Sequence, residues 1–404
     1  MKSTTLNNGL EIITDKRNED FVNIAYMIDK GSMDEPNDKL GIAHLTEHMV
    51  FKGTANRDKD QIWEDVSKFG GSMNAYTAEN HTAFYCTILK EYWEEALDVL
   101  SDIVWNNILP EEEFDLEKSV VIEELKMYSD EGKHVVLDLL TKTIFPDIEN
   151  RWNNGGTPET VSEITREDVS EYIENYFIPK NIKIVITGNI NHEKVVKFMK
   201  EYLQDYEFKN SSVNYRVDTK EIKIANATQS LVGSQSHLVA YLPIKIDNEK
   251  DDFMAQMFCD IMGDGFGSRL MEIREKYGYA YTLGCSYIYY PNDVALMYCY
   301  VGLNIDNIEK TKELIIENFN KVKEEGITNN EFESNMIGTL SDFKKAEIFC
   351  EDNNMDKINQ IINEMPYDNK KNLKTLQSIT KNDLQTFIDS NVINKIGFVV
   401  VEQA

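Results

Sequence analysis

The segment Ile164-Thr165-Arg166-Glu167-Asp168-Val169, continued by Tyr172-Ile173-Glu174, reappears as Ile379-Thr380-Lys381-Asn382-Asp383-Leu384 and Phe387-Ile388-Asp389, an offset of 215 from residue 164 to residue 379. Each copy opens on a threonine with an acid three residues later, the pattern of a capping box at a helix start. Each then leads into a β-branched run, 182–186 and 396–401, that reads as a closing strand. Shared punctuation, period and order over about 25 residues mark an internal duplication. At 404 residues the chain is also too long for one ordinary core, so two homologous domains of about 200 residues are expected.

The order within the halves is similar. Early strands fall at 10–14 and 22–29 in the first and at 221–224 and 237–242 in the second; a helix, a hairpin, further helices and the closing strand come after them. Strands mixed with long helices predict an α+β class, each domain a mainly antiparallel sheet covered by helices. The acidic, turn-rich stretch around Asn210, Ser211 and Ser212 predicts a linker at 210–219, dividing an N-terminal domain, 1–209, from a C-terminal domain, 220–404.

Chemistry concentrates in the first half. His44-Leu45-Thr46-Glu47-His48 uses two of the six histidines in the chain. On a helix, positions i and i+4 share a face, so His44 and His48 can reach one zinc ion while Glu47 flanks it as a base. Pro36, Asn37 and Asp38 supply turn and capping chemistry ahead of that helix, and Gly53 can close it. The second half has a single histidine, His237, in a predicted strand, so only the N-terminal domain can hold such a metal. A catalytic zinc takes three protein ligands and leaves a place for water. The third is sought on the helix that begins at Pro110, where Glu117 and Glu124 lie two turns apart on one face beside Val120 and Val121. Spacing favours Glu124 over Glu123 but leaves both open, because Leu116 and Met127 make the face of Glu123 partly apolar too.

Composition excludes other classes. Seventy acidic against 42 basic residues give a net charge of −28, which disfavours nucleic acid and anionic lipid as partners. The five cysteines, Cys86, Cys259, Cys285, Cys299 and Cys350, are odd in number and lack paired spacing, so neither a disulfide framework nor a thiolate zinc site is expected. With no apolar leader and no apolar span, the sequence predicts a soluble cytoplasmic protein, or an organellar one if a presequence has been removed.

The order His44-x-x-Glu47-His48, Met49-Val50-Phe51-Lys52-Gly53-Thr54, then Glu117 and Glu124, resembles the inverted-motif zinc peptidases of the pitrilysin and insulinase superfamily, and within it the mitochondrial-processing-peptidase-like branch. Gly70-Gly71-Ser72-Met73-Asn74-Ala75-Tyr76-Thr77 is similar to the substrate-binding strand of that family, and Gly267-Ser268-Arg269-Leu270 through Ile273-Arg274-Glu275-Lys276 and Ala280-Tyr281 to its arginine–tyrosine element. The resemblance implies one Zn2+ per chain on His44, His48 and Glu124, with Glu47 handling protons and Glu117 supporting the site. It implies peptide contacts from Asn74, Ala75 and Tyr76, and contacts from Arg274 and Tyr281 to substrate carbonyls and the oxyanion. The implied activity is metalloendopeptidase cleavage of unfolded peptides or presequence-like extensions, basic ones included, in a clamshell chamber. A two-domain chain would complete its site through a homodimer, or a heterodimer with a degenerate partner. The alternative is a non-catalytic scaffold subunit of the same fold.

Overall fold

A computed structural model gives the fold of residues 1–146, 153–209, 211, 213, 222–263, 267–290, 294–362, 368–392 and 395–404. The chain forms two compact units. The first comprises Met1–Leu125, Asn150–Val217 and Lys345–Glu364; the second comprises Lys126–Glu149, Asp218–Lys344 and Met365–Ala404. Most of the predicted linker lies outside the described residues.

In the first unit, strands β1 (Lys2–Thr5), β2 (Glu11–Lys16), β3 (Phe21–Ile28), β4 (Ser72–Thr77), β5 (Thr82–Leu89) and β6 (Ile182–Gly188) form one sheet in the order β1-β2-β6-β3-β5-β4. Only β2 and β6 run parallel; the other neighbours are antiparallel. Helices α1 (Ile42–Met49) and α2 (Lys59–Ser67) lie between β3 and β4 in the chain, and α3 (Trp93–Trp105) and α4 (Glu111–Asp130) come after β5. After α5 (Gly132–Ile144) come α6 (Pro158–Glu163), α7 (Arg166–Tyr176) and, past β6, α8 (His192–Tyr202). Val22, Ile24, Tyr26 and Ile28 on β3 alternate into a core with Phe84, Cys86 and Ile88 on β5 and the apolar faces of α1, α3 and α7.

The second unit has β7 (Ala227–Leu231), β8 (Ser236–Ile244), α9 (Glu249–Gly263), α10 (Glu272–Glu275), β9 (Ala280–Tyr290), β10 (Val294–Leu303), α11 (Ile308–Glu324) and α12 (Asn329–Ala346). The chain ends with α13 (Cys350–Ile362), α14 (Asn369–Ser378), α15 (Lys381–Asn391) and β11 (Gly397–Gln403). Its sheet order is β7-β11-β8-β10-β9, with β7 and β11 parallel. Strand by strand this matches β2-β6-β3-β5-β4, so the duplication read from two short segments extends to a whole sheet. The repeated capping boxes are present in both copies: Thr165 accepts from the Asp168 amide before α7, and Thr380 from the Asp383 amide before α15.

Three expectations change. Residues 222–226 are irregular, and the strand expected at 221–224 begins at Ala227. The units are not the contiguous stretches 1–209 and 220–404, because each takes a helix from the other half of the sequence: α13 packs on β3 and β6, and α5 on β8 and β11. Cys285 and Cys299 stand directly opposite each other on β9 and β10 and form a disulfide, which the strand register produces and sequence spacing cannot reveal. Cys86, Cys259 and Cys350 are buried free thiols. No helix among the described residues is long and apolar enough to cross a membrane.

Candidate metal centre

Helix α1 places both histidines. Its N-cap is Gly41, at φ 95°, rather than a residue of the Pro36-Asn37-Asp38 turn. A Cβ there would lie 2.3 Å from the Gly155 carbonyl oxygen, so a side chain is excluded twice over. Capping comes instead from Glu35, buried, whose two carboxylate oxygens each accept a 2.8 Å hydrogen bond, from the amides of Gly41 and Ala43. A carboxylate at a helix N-terminus satisfies orphan amides and the dipole together. The sequence reading missed Glu35; an acid just before a motif-bearing helix was the available signal.

His44 and His48 follow one turn apart, their Nε2 atoms 3.2 Å from each other. Glu124, from α4, brings Oε2 to 4.0 Å from His44 Nε2 and 3.6 Å from His48 Nε2. With ligand bonds of about 2.0–2.2 Å, tetrahedral zinc needs donor atoms roughly 3.3–3.6 Å apart; the two pairs involving His48 lie at or close to that range, and the 4.0 Å pair needs a small inward shift of the Glu124 side chain. Among the described residues, His44, His48 and Glu124 form the one group of three or more His, Cys, Asp or Glu side chains able to share a metal. Glu123 is exposed, as is Val120, whereas Val121 and Leu125 anchor α4 in the core. Of the two carboxylates that spacing left open, Glu124 is the one grouped with both histidines among the described residues.

The donors are prepared for a cation. Glu117, buried, accepts from His48 Nδ1 at 2.8 Å and from Lys52 Nζ at 2.6 Å. That bond orients the ring with Nε2 of His48 toward Glu124; burial pushes this imidazole down, but the Glu117 bond and the charges of Glu47, Glu117 and Glu124 outweigh it and hold His48 above its ordinary value. Burial pushes the Glu117 carboxyl up, but hydrogen bonds from His48 and Lys52 outweigh it and hold the group below the ordinary range. His44 is pushed down to about 4 by burial and by the neighbouring His48 charge, which keeps it neutral near pH 7. Gly155 packs against it: a Cβ there would come within 3.2 Å of His44 Nδ1.

Glu47 is buried and donates nothing; its Oε2 accepts a 2.6 Å hydrogen bond from the Thr77 hydroxyl. Burial raises its carboxyl above the usual value, with the Thr77 bond and the His48 charge opposing. Thr77 ends β4, an edge strand with no neighbour on its outer side among the described residues. On β4, Asn74 is exposed and its Oδ1 takes the Ala75 amide at 2.9 Å, and the Tyr76 hydroxyl lies 3.0 Å from His81 Nε2. Tyr76 is pushed up to about 12 by burial.

Arg274 and Tyr281 lie in the second unit, on α10 and at the start of β9. The guanidinium carbon sits 6.0 Å from the Tyr281 ring centroid, with Arg274 Nε 3.5 Å from Glu275. Both side chains face solvent, Tyr281 at 79% exposure, so the fold brings this pair together at the surface of the unit.

The family described as insulinase, peptidase family M16, matches residues 11–150, and the peptidase M16 inactive domain matches residues 163–337. The uncharacterized zinc protease YmxG of Bacillus subtilis is 29% identical over 348 residues, which are 84% of this chain and 83% of that protein. The beta subunit of the mitochondrial-processing peptidase of Dictyostelium discoideum is 32% identical over 235 residues, 58% of this chain and 49% of that one. A protease from Helicobacter pylori superposes with a TM-score of 0.90 over 99% of both chains at 20% identity, which establishes the shared two-domain fold. The chain belongs to the insulinase family of peptidases, M16.

Proposed function

We propose that the chain is a zinc metalloendopeptidase that hydrolyses unfolded peptides or presequence-like extensions, with His44, His48 and Glu124 as ligands and Glu47 as general base. The observation that carries this reading is the convergence of three ligand atoms within 4.0 Å of one another, from two helices far apart in sequence, beside a buried carboxylate. Zinc held there would acidify a water molecule to a pKa of about 7 and polarise the scissile carbonyl.

The remaining work belongs to the chain. Glu47 takes a proton from the attacking water as its oxygen bonds to the carbonyl carbon, then delivers it to the amine as the C–N bond breaks. Glu117 and Lys52 keep His48 in its ligating orientation. The free edge of β4 accepts an extended peptide as an added strand, reading backbone at Ala75 with Asn74 and Tyr76 alongside. Arg274 and Tyr281 offer the donors that a developing oxyanion needs. A second copy of the chain supplies them over the zinc, so the working form is a homodimer enclosing the peptide.

The test is metal and turnover on one protein. The purified chain should carry about one zinc, cleave an unfolded peptide and stop when a chelator removes the ion. Glu47→Gln should keep the zinc and lose activity by at least about 100-fold, the lower end of general-base contributions. A metal-free chain, or an active Glu47→Gln variant, would refute the assignment.

A further inference from the structure

Thr77 holds a position that neither the metal set nor the peptide-binding strand accounts for. It is the last residue of β4, paired with Thr82 across the sheet, and both its hydroxyl and its carbonyl are committed. Its hydroxyl donates to Glu47 Oε2 at 2.6 Å. Its carbonyl oxygen accepts from Asn154 Nδ2 at 3.4 Å, and Asn154 Oδ1 in turn accepts from the Ser32 hydroxyl at 2.8 Å. The next residue is tied down too, since the Ala78 carbonyl accepts the Ser32 amide at 3.1 Å. The end of the strand is therefore pinned to the loop ahead of α1, the helix that carries Glu47.

A carboxylate that must take a proton and return it has two oxygens with different needs. One must be free to face water; the other needs a fixed partner, or the group rotates among orientations that do not reach the reacting atom. We infer that Thr77 is a positioning residue for the base: it occupies Oε2 of Glu47 and thereby presents Oε1 to the attacking water, while Asn154 and Ser32 hold Thr77 in register. The inference rests on the assignment of Glu47 as the base. It adds that the strand receiving the peptide and the group activating the water are mechanically one piece. The peptide ladder on β4 also stops at Thr77, whose outward carbonyl is already taken by Asn154.

Thr77→Val keeps the β-branched shape and removes only the donor. The expected result is a fall in kcat of tenfold to a hundredfold, with KM, zinc affinity from chelator competition, and melting temperature close to those of the parent. Thr77→Ser should restore kcat to within about threefold. Peptide affinity is measured separately in the inactive Glu47→Gln background, where adding Thr77→Val should leave Kd within twofold. The inference is overturned if Thr77→Val turns over at the parental rate, if its loss appears in KM or in peptide Kd, or if zinc affinity falls with it. It is overturned equally if Thr77→Ser is as impaired as Thr77→Val, since the hydroxyl is then not what matters. A parent chain that binds zinc yet cleaves no peptide would instead count against the peptidase reading, so the two failures are distinguishable.

Discussion

Individual side chains around the candidate metal centre owe their behaviour to burial combined with a specific partner. Glu117 illustrates this: desolvation alone would favour its neutral form, and Lys52 and His48 reverse that preference by hydrogen bonding to the charged one. His81 shows the opposite outcome. It is a buried residue of the β4–β5 turn, bonded to Tyr76 and Asn80, and desolvation pushes its imidazole down to about 4 with no carboxylate to compensate. In the unfolded chain the same group titrates near 6.5. Below pH 6.5 the unfolded state therefore binds a proton that the folded state refuses, and stability falls as pH drops toward 4. The full difference amounts to about 3 kcal/mol. Chemical denaturation of the parent and of His81→Gln at pH 7 and at pH 4.5 should show a smaller acid-induced loss in the variant. Equal losses would mean that His81 is already charged in the fold.

At the level of elements, the open face of the first sheet is covered by a helix joined through polar groups. Asn354 on α13 donates to Asn23 Oδ1 at 2.7 Å and to the Val185 carbonyl at 2.9 Å, and accepts from Thr187 at 2.9 Å. Lys357, almost wholly buried, pairs with Asp15 at 3.0 Å and with Thr187. Such a network is specific because a displaced helix strands every member at once. Asn354→Leu should therefore cost about 3 kcal/mol by removing three buried hydrogen bonds at once, more than an apolar replacement recovers. Hydrogen exchange should show faster exchange across 350–362 with α5 unchanged. Retained protection along α13 would show that its apolar contacts alone suffice.

For the whole molecule, the proposed assembly makes a prediction that no single chain can satisfy. If one copy completes the site of another, a chain lacking the base and a chain lacking the arginine are each inactive yet complementary. Glu47→Gln mixed with Arg274→Ala should recover activity in those hybrid dimers that pair an intact Glu47 with an intact Arg274. With random exchange at equal amounts, about a quarter of all sites recover, an order of magnitude above either variant alone. No recovery, despite subunit exchange demonstrated by mass or fluorescence, would place Arg274 and the zinc of one site in the same chain or remove Arg274 from the reaction.

The sequence by itself determined whatever depends on local spacing. Two histidines at i and i+4 share a face on any helix, a Thr with an acid three residues on caps one wherever it occurs, and the duplicated segment implied two related sheets. Fold class and the His44-Glu47-His48 unit were legible for that reason. What depends on distant segments meeting was decided only by the tertiary structure: the approach of Glu124 to the two histidines, the Glu35 cap, the Thr77 bond to Glu47, the Cys285–Cys299 pair and the exchange of α5 and α13 between units. Each of these is set by the register and packing of elements far apart in the chain, and a one-residue change in register redirects a side chain to another face.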